Sequence, residues 1–170
     1  VAATNDADAL LALQTDCIVH TAWADDRLFE TLADMERFLR AGINVVSSSP
    51  VFLQYPRGAV PEVMYAGVEE AAAAGGVSLF VNGIDPGFAN DWLPLVATGI
   101  CELIDEVRCM EILNYATYDQ PSVLFDIMGF GRPIDELPFI LSPGIPTTAW
   151  GSVVSQIAAG LGVTLDEITE

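Results

Sequence analysis

The sequence predicts an α/β fold that begins with a parallel sheet and continues into a differently organised second part. Short apolar runs alternate with helical patterns in the first half, which is typical of successive right-handed strand–helix–strand units. The corner VNGIDPGF at residues 81–88 marks where this alternation stops. The sequence therefore predicts two domains, at residues 1–86 and 87–170.

Three apolar runs in the first half predict strands, and helical patterns precede or separate them. The runs are DCIVHTA, INVVSSS and VSLFVNGI. A short helix is predicted over residues 5–14, and another begins near Pro61 and ends at Gly75 and Gly76. Between them, an amphipathic helix has Asp25 or Asp26 as its cap, Gly42 as its stop and apolar positions at Leu28, Leu32, Met35 and Leu39.

The second half predicts the start of an α+β domain with helices around one strand. Helical patterns cover residues 88–104, 121–131 and 146–162. The segment EVRCMEILNYATY alternates in polarity with a period of two, which predicts a strand.

The charge of the chain excludes several classes of partner. It contains 24 acidic residues and only six basic ones, all of them arginine, which gives a formal net charge of −18. Nucleic acids and anionic membranes bind basic surfaces, so neither is an expected partner. The acid excess itself is typical of solubility in a saline setting or of a biased composition.

The cysteines and the apolar runs exclude further classes. Cys17, Cys101 and Cys109 form no CxxC pair, so we expect neither a metal site nor disulfides, and predict reduced, mostly buried thiols. No apolar run reaches about 18 residues, and no basic segment precedes one. We therefore expect a cytoplasmic protein, although the chain opens on Val1 and reads as a fragment.

The carboxyl ends of the three predicted strands carry small or polar residues. They read His20-Thr21-Ala22, Ser47-Ser48-Ser49 and Asn82-Gly83-Ile84-Asp85-Pro86. Ligands of open parallel sheets bind at this edge, and small side chains let a flat ring or a ribose approach the backbone. The pattern suits a nicotinamide-ribose site, and ordinary turn chemistry is the alternative.

No phosphate-binding fingerprint accompanies these strand ends. GxGxxG does not follow any strand, and GxxxxGK[ST] needs a lysine. If the sheet binds a dinucleotide, we expect its first strand and Gly-rich loop to lie upstream of Val1.

Two further residues have both a structural and a functional interpretation. His20 is either a structural histidine or, with a serine of Ser47 to Ser49 and Asp16 or Asp25, part of a catalytic triad, for which no GxSxG elbow exists. Asp85 either caps the helix that follows it or recognises a cationic group of a substrate.

Several motifs, in this order, resemble the dihydrodipicolinate-reductase-like dehydrogenases, a family that includes native amine dehydrogenases and 2,4-diaminopentanoate dehydrogenase. They are VHTA, AGINVVSSS, QYP, NGIDPGFANDWLPL and YDQPSVLFDIMGFGRP, and they span roughly Cys17 to Pro133. The resemblance implies the second half of a Rossmann-type sheet, followed by a substrate and dimerisation domain. It also implies a homodimer that transfers a hydride between NAD or NADP and a small carbonyl or imine.

The resemblance also implies positions for the two ligands. The nicotinamide end of the cofactor would contact His20, Thr21, Ala22, Ser47, Ser48, Asn82, Gly83, Pro86 and Gly87. The substrate would contact Phe52, Tyr55, Phe88, Asn90, Asp91 and Trp92.

The chain departs from the family pattern at the loop after the second strand. Amine dehydrogenases of this group tend to carry a glutamate there that handles ammonia, whereas Pro50 to Gln54 contains no carboxylate. The apolar residues of this loop favour a hydrophobic carbonyl or imine. The alternative function is a non-catalytic module, for cofactor sensing or dimerisation, that kept the fold.

Overall fold

A computed structural model describes residues 3–24 and 26–170, which form two compact units. The units comprise Val1–Gly83 and Ile84–Glu170, and each is described by itself. The assignment of a dinucleotide-binding domain and a substrate domain to the two halves stays a prediction.

The first unit contains a three-stranded parallel sheet, which confirms the three predicted strands. The strands are β1 (Cys17–His20), β2 (Asn44–Ser47) and β3 (Leu79–Val81), paired in the order β1-β2-β3. His20 lies opposite Ser47, and Ser47 lies opposite Val81. The carboxyl ends of the strands therefore share one edge.

The helices of this unit follow the predicted pattern with different ends. They are α1 (Ala7–Leu11), α2 (Leu28–Arg40) and α3 (Ala66–Gly75). Asp26 does not cap α2, because the helix begins after Arg27 with no side-chain cap, and Asp25 lies outside the described residues. Gly42 adopts a φ of 80°, the left-handed conformation that turns the chain from α2 into β2.

One face of the sheet is buried and the other is exposed. The core consists of Leu32, Met35, Phe38, Leu39, Ile43, Val45, Val68 and Ala71, with Ile18 and Leu79 packed against it. Val19, Val46 and Phe80 lie on the opposite face and are exposed. Because side chains alternate along a strand, the helices cover the face of Ile18, Val45 and Leu79.

The prediction of mostly buried thiols is wrong, since Cys17, Cys101 and Cys109 are all exposed. Cys17 is at the start of β1 and lies on the same face of the sheet as Val19. The helices α2 and α3 do not cover this face. Cys101 follows α4 (Trp92–Thr98), and Cys109 lies in an irregular segment.

The second unit is helical and irregular, and its predicted strand is wrong. Its helices are α4 and α5 (Ile145–Gly160), with a π-helical turn over Ser122–Ile127. The described residues 84–170 contain no strand, so the alternating segment at 106–118 has no neighbouring strand to pair with, and its end forms a 3-10 turn at Tyr115–Thr117. Its apolar side chains Met110 and Ile112 are exposed.

A carboxylate from far along the chain caps the amino terminus of α5. Glu170 accepts hydrogen bonds from the Gly144 amide, the Thr147 amide at 3.0 Å and the Thr147 hydroxyl at 2.7 Å. The Gly144 amide, followed by the two Thr147 groups, lowers the pKa of Glu170. Helix amides that would otherwise lack partners are thereby satisfied.

None of the helices within residues 3–24 and 26–170 has both the length and the apolar character needed to cross a membrane.

The contact between α2 and α3 predicts a sharp difference between two glycines of α3. A Cβ at Gly75 would overlap the backbone carbonyl oxygen of Leu39, whereas a Cβ at Gly67 would meet the movable carboxylate of Glu36. We expect Gly75→Ala to lower the free energy of unfolding by about 1–3 kcal/mol. Gly67→Ala should leave it within about 1 kcal/mol of wild type, because alanine favours helix.

Urea denaturation followed by circular dichroism measures both variants. Equal stabilities of the two alanine variants would contradict this account of the helix contact.

Candidate functional site

The carboxyl edge of the sheet brings His20 and Ser47 into contact. Each ends its strand, and the two residues are opposite in the parallel register. The Nδ1 atom of His20 lies 2.9 Å from the Oγ atom of Ser47. His20 is half-buried and Ser47 is buried. The pair therefore lies at the carboxyl ends of β1 and β2, on the face of the sheet that the helices cover.

The Ser47 hydroxyl makes more contacts than one proton can supply. Its oxygen accepts the Ser49 amide proton at 3.1 Å. It also lies 2.5 Å from the Ser49 carbonyl oxygen and 3.1 Å from the His20 carbonyl oxygen. The hydroxyl therefore organises the turn after β2 as well as the imidazole.

The imidazole of His20 is biased toward its neutral form. Burial is the main reason that its pKa is lowered from 6.5, and Arg27 lowers it further, while Asp34 opposes the shift. A neutral imidazole carries one donor and one acceptor nitrogen, which suits hydrogen bonding to an uncharged polar ligand.

Contact between His20 and Ser47 does not make a hydrolytic pair. A nucleophilic serine must reach its substrate, and Ser47 is only 3% exposed, with its hydroxyl engaged by the backbone of Ser49. A triad with Ser47 as its nucleophile would require this buried oxygen to attack a bound ligand, which its position does not allow.

Backbone hydrogen bonds connect the other predicted cofactor residues of the first unit to this edge. The Ser48 amide donates to the His20 carbonyl at 3.3 Å, and the Asn82 amide donates to the Ser47 carbonyl at 3.0 Å. The side chains of Thr21, Ala22 and Ser48 are exposed, and Asn82 and Gly83 are half-buried. Their role in binding a cofactor stays a prediction.

The loop after β2 forms a 3-10 helix at Val51–Gln54 and places its two predicted substrate residues differently. Phe52 is buried, with 4% of its surface exposed. Tyr55 is half-buried and lines a cavity of about 220 Å³ with residues that include Arg57, Tyr65 and Glu69. Whether either residue contacts a substrate stays a prediction.

The corner between residues 84 and 91 is held by Asn90 and Gly87. The Asn90 side-chain oxygen accepts the Gly87 amide proton at 2.8 Å, and the Gly87 carbonyl accepts the Asn90 and Asp91 amide protons at 2.9 and 2.8 Å. Gly87 is buried and has a φ of 141°, a conformation that residues with a Cβ rarely adopt. Pro86, the remaining cofactor residue predicted here, is half-buried.

The proposed capping role of Asp85 belongs to Asp91 instead. Asp91 is fully buried, and its carboxylate accepts the Trp92 amide proton at the start of α4. The helix begins four residues later than the pattern from Phe88 predicts, because the tight corner uses the intervening residues. Phe88 and Trp92 are exposed, whereas Asn90 and Asp91 are buried and hold the corner.

Asp85 is the centre of a polar cluster that the sequence did not predict. One carboxylate oxygen of Asp85 accepts hydrogen bonds from the side-chain amide of Asn90 and, at 2.7 Å, from the indole of Trp150 in α5. The Tyr115 hydroxyl donates to Glu111 at 3.0 Å, and Glu111 in turn hydrogen-bonds to Asp85. We call Asp85, Asn90, Glu111, Tyr115 and Trp150 the Asp85 cluster.

Burial, hydrogen bonds and neighbouring carboxylates raise the pKa of three groups near this cluster. The hydrogen bond with Asp85 is the main reason that the pKa of Glu111 is raised above 4.5. Burial, followed by Asp85 and Asp91, raises the pKa of Cys109, which therefore remains a thiol at neutral pH. Burial and the bond to Glu111 raise the pKa of Tyr115.

No group of three or more histidine, cysteine or acidic side chains in the described part of the chain is arranged to hold a metal ion.

Comparison with known proteins shows a similarity to a named enzyme along the whole chain. No family model matches the sequence. A protein named amine dehydrogenase from Streptomyces virginiae is 45% identical over 170 residues, which is 100% of this chain and 47% of that protein. The chain thus spans about half the length of the curated relative that it matches.

The raised pKa of Glu111 predicts a pH-dependent stability. A carboxyl with a raised pKa binds its proton more tightly in the folded state, so the free energy of unfolding falls as pH rises from 4.5 through the folded pKa. We expect Glu111→Gln to remove this part of the fall. Chemical denaturation at a series of pH values measures it.

Glu102→Gln, which removes an exposed carboxylate outside the Asp85 cluster, is the control for the change in charge. An equal effect of the two glutamine variants would contradict the coupling between Glu111 and Asp85.

The bond from Trp150 to Asp85 predicts a cost for removing the indole N–H. Trp150→Phe keeps an aromatic ring but leaves Asp85 with one fewer donor, so we expect about 1–3 kcal/mol lower stability. Adding Asp85→Asn should change that cost, because the two residues are coupled. A double-mutant cycle by urea denaturation measures the coupling, and additive effects would rule it out.

Proposed function

We propose that the chain is part of an NAD- or NADP-dependent oxidoreductase that interconverts an amine with the corresponding carbonyl compound or imine. The observation that carries the proposal is the 45% identity, along the whole chain, to a protein named amine dehydrogenase. The carboxyl edge of the parallel sheet supports it, since this is where open α/β sheets bind nucleotides.

The residues at that edge fit the nicotinamide and ribose end of such a cofactor. His20, Thr21 and Ser48 offer uncharged donors and acceptors, and Ala22 adds no bulk. A bound nicotinamide supplies the hydride chemistry, and the task of these residues is to hold and orient it. The pyrophosphate would need a Gly-rich loop that residues 1–170 do not contain.

The residues proposed for the substrate lie in both halves of the chain. Phe52 and Tyr55 belong to the loop after β2, and Phe88, Asn90, Asp91 and Trp92 belong to the corner and the start of α4. The apolar character of several of these residues favours a hydrophobic carbonyl or imine. Loop residues 50–54 lack a carboxylate, so Asp85 and Glu111 are the candidates for attracting a cationic amine. We further propose that the protein works as a homodimer.

A steric block at the sheet edge tests the proposal. Ala22→Trp places an indole at the predicted nicotinamide site, and Ala12→Trp makes the same change at an exposed residue after α1. We expect Ala22→Trp to weaken binding of NADH or NADPH by at least about tenfold, equivalent to about 1.4 kcal/mol, and Ala12→Trp to bind normally. Titration calorimetry on the full-length protein measures both.

Turnover with ammonia and a series of apolar aldehydes and ketones is measured on the same samples. Failure of wild type to bind either dinucleotide would contradict the proposal. Binding with no turnover on any amine or carbonyl would replace the enzyme by the non-catalytic cofactor-sensing alternative.

A further inference from the structure

The hydroxyl of Ser47 determines which nitrogen of His20 carries a proton. Its oxygen already accepts the Ser49 amide proton, and two carbonyl oxygens compete for its single hydrogen. A carbonyl oxygen can only accept, and the Ser49 carbonyl is the closer of the two at 2.5 Å. The hydroxyl hydrogen therefore goes to the Ser49 carbonyl.

With its hydrogen committed, the Ser47 oxygen can meet His20 only as an acceptor. The Nδ1 atom of His20, 2.9 Å away, must then donate. In a neutral imidazole one nitrogen donates and the other accepts, so Nε2 carries the lone pair. The opposite tautomer would leave the 2.5 Å contact between two oxygens without a proton.

Among the residues that the structure describes, the acceptor nitrogen Nε2 of His20 has no hydrogen-bond partner. It belongs to a residue at the carboxyl end of β1, the edge where parallel sheets bind ligands. Two charged groups act on the pKa of this imidazole in opposite directions, since Asp34 raises it and Arg27 lowers it. Burial is the largest effect and lowers the pKa, which favours the neutral form.

We propose that Ser47 holds His20 as the Nδ1–H tautomer so that Nε2 accepts a hydrogen bond from the carboxamide of a bound nicotinamide. The inference rests on the proposed function and deepens it, because it names the group of the cofactor that the edge recognises. Ser47 acts through His20 and is a positioning residue. A primary carboxamide supplies the uncharged N–H donor that an imidazole lone pair requires.

The tautomer is measurable without any variant and without a cofactor. Long-range ¹H–¹⁵N correlation spectra of the ¹⁵N-labelled full-length protein at pH 8 distinguish a protonated ring nitrogen from an unprotonated one. His20→Gln assigns the resonances by removing them. We expect a protonated Nδ1 and an unprotonated Nε2, and a protonated Nε2 in the wild-type protein would overturn the proposal.

Two serine variants test the role of Ser47. Ser47→Ala removes the acceptor for Nδ1, so we expect its spectrum to shift toward the Nε2–H tautomer. Ser48→Ala makes the same change at the next residue, whose side chain is exposed, and should leave the tautomer unchanged. The same tautomer in wild type and Ser47→Ala would overturn the positioning role.

Two dinucleotides test the ligand. NAD⁺ carries the carboxamide, whereas 3-acetylpyridine adenine dinucleotide has in its place an acetyl group, which lacks an N–H. We expect Ser47→Ala to weaken NAD⁺ binding by about threefold to tenfold, the worth of one hydrogen bond, and to leave the acetyl analogue nearly unaffected. NAD⁺ should also shift the Nε2 resonance of the wild-type protein.

The outcomes separate the inference from the function on which it rests. If both dinucleotides bind and Ser47→Ala weakens both equally, the carboxamide contact is wrong and the oxidoreductase proposal stands. If neither NAD(H) nor NADP(H) binds to the wild-type protein, the proposed function fails and the carboxamide contact fails with it. The tautomer measurement then still decides whether Ser47 sets the protonation of His20.

Discussion

The burial of one face of the β1-β2-β3 sheet under α2 and α3 is the constraint on which the candidate site depends. Side chains alternate along a strand, so the burial of Val45 decides the direction of Ser47 two residues later. A shift of one residue would exchange the two faces of the strand and expose the core. The same packing that fixes the core therefore directs Ser47, and the opposite His20, to the covered side of the sheet edge.

The second unit depends on a different kind of interaction. Its corner is held by buried polar groups, since Asn90 accepts from Gly87 and donates to Asp85, and Asp91 caps α4. Trp150 connects the Asp85 carboxylate to α5. Polar contacts of this kind are costly to leave incomplete, so each residue of the corner restricts the positions of the others.

The strands of the first unit could be predicted because their signal is local. Residues 17–20, 44–47 and 79–81 each contain apolar residues with a polar residue at the end of the strand or directly after it, and their pairing follows from the strand–helix alternation. The same alternation also predicts that the carboxyl ends of the three strands lie at one edge of the sheet. The contact between Ser47 and His20 depends on the strand register as well, and the residue types suggest it only as part of a catalytic triad.

The second unit could not be predicted in the same way. Alternating polarity at 106–118 describes side-chain positions but cannot supply a neighbouring strand, and none is present in the described residues 84–170. Trp150 joins Asp85 across 65 positions, and no spacing rule connects such residues. Asp85 and Asp91 are both suitable caps by composition, and the tight corner at Gly87 decides between them.

The one-sided sheet has a consequence for the behaviour of the protein in solution. Within the described residues, Val19, Val46 and Phe80 form an exposed apolar surface on the face of the sheet opposite the core, and exposed apolar surface favours self-association. The net charge of −18 opposes it, because molecules of like charge repel one another. Colloidal stability is therefore greatest at low ionic strength and declines as salt screens the charge or as the pH approaches the isoelectric point of about 4.1.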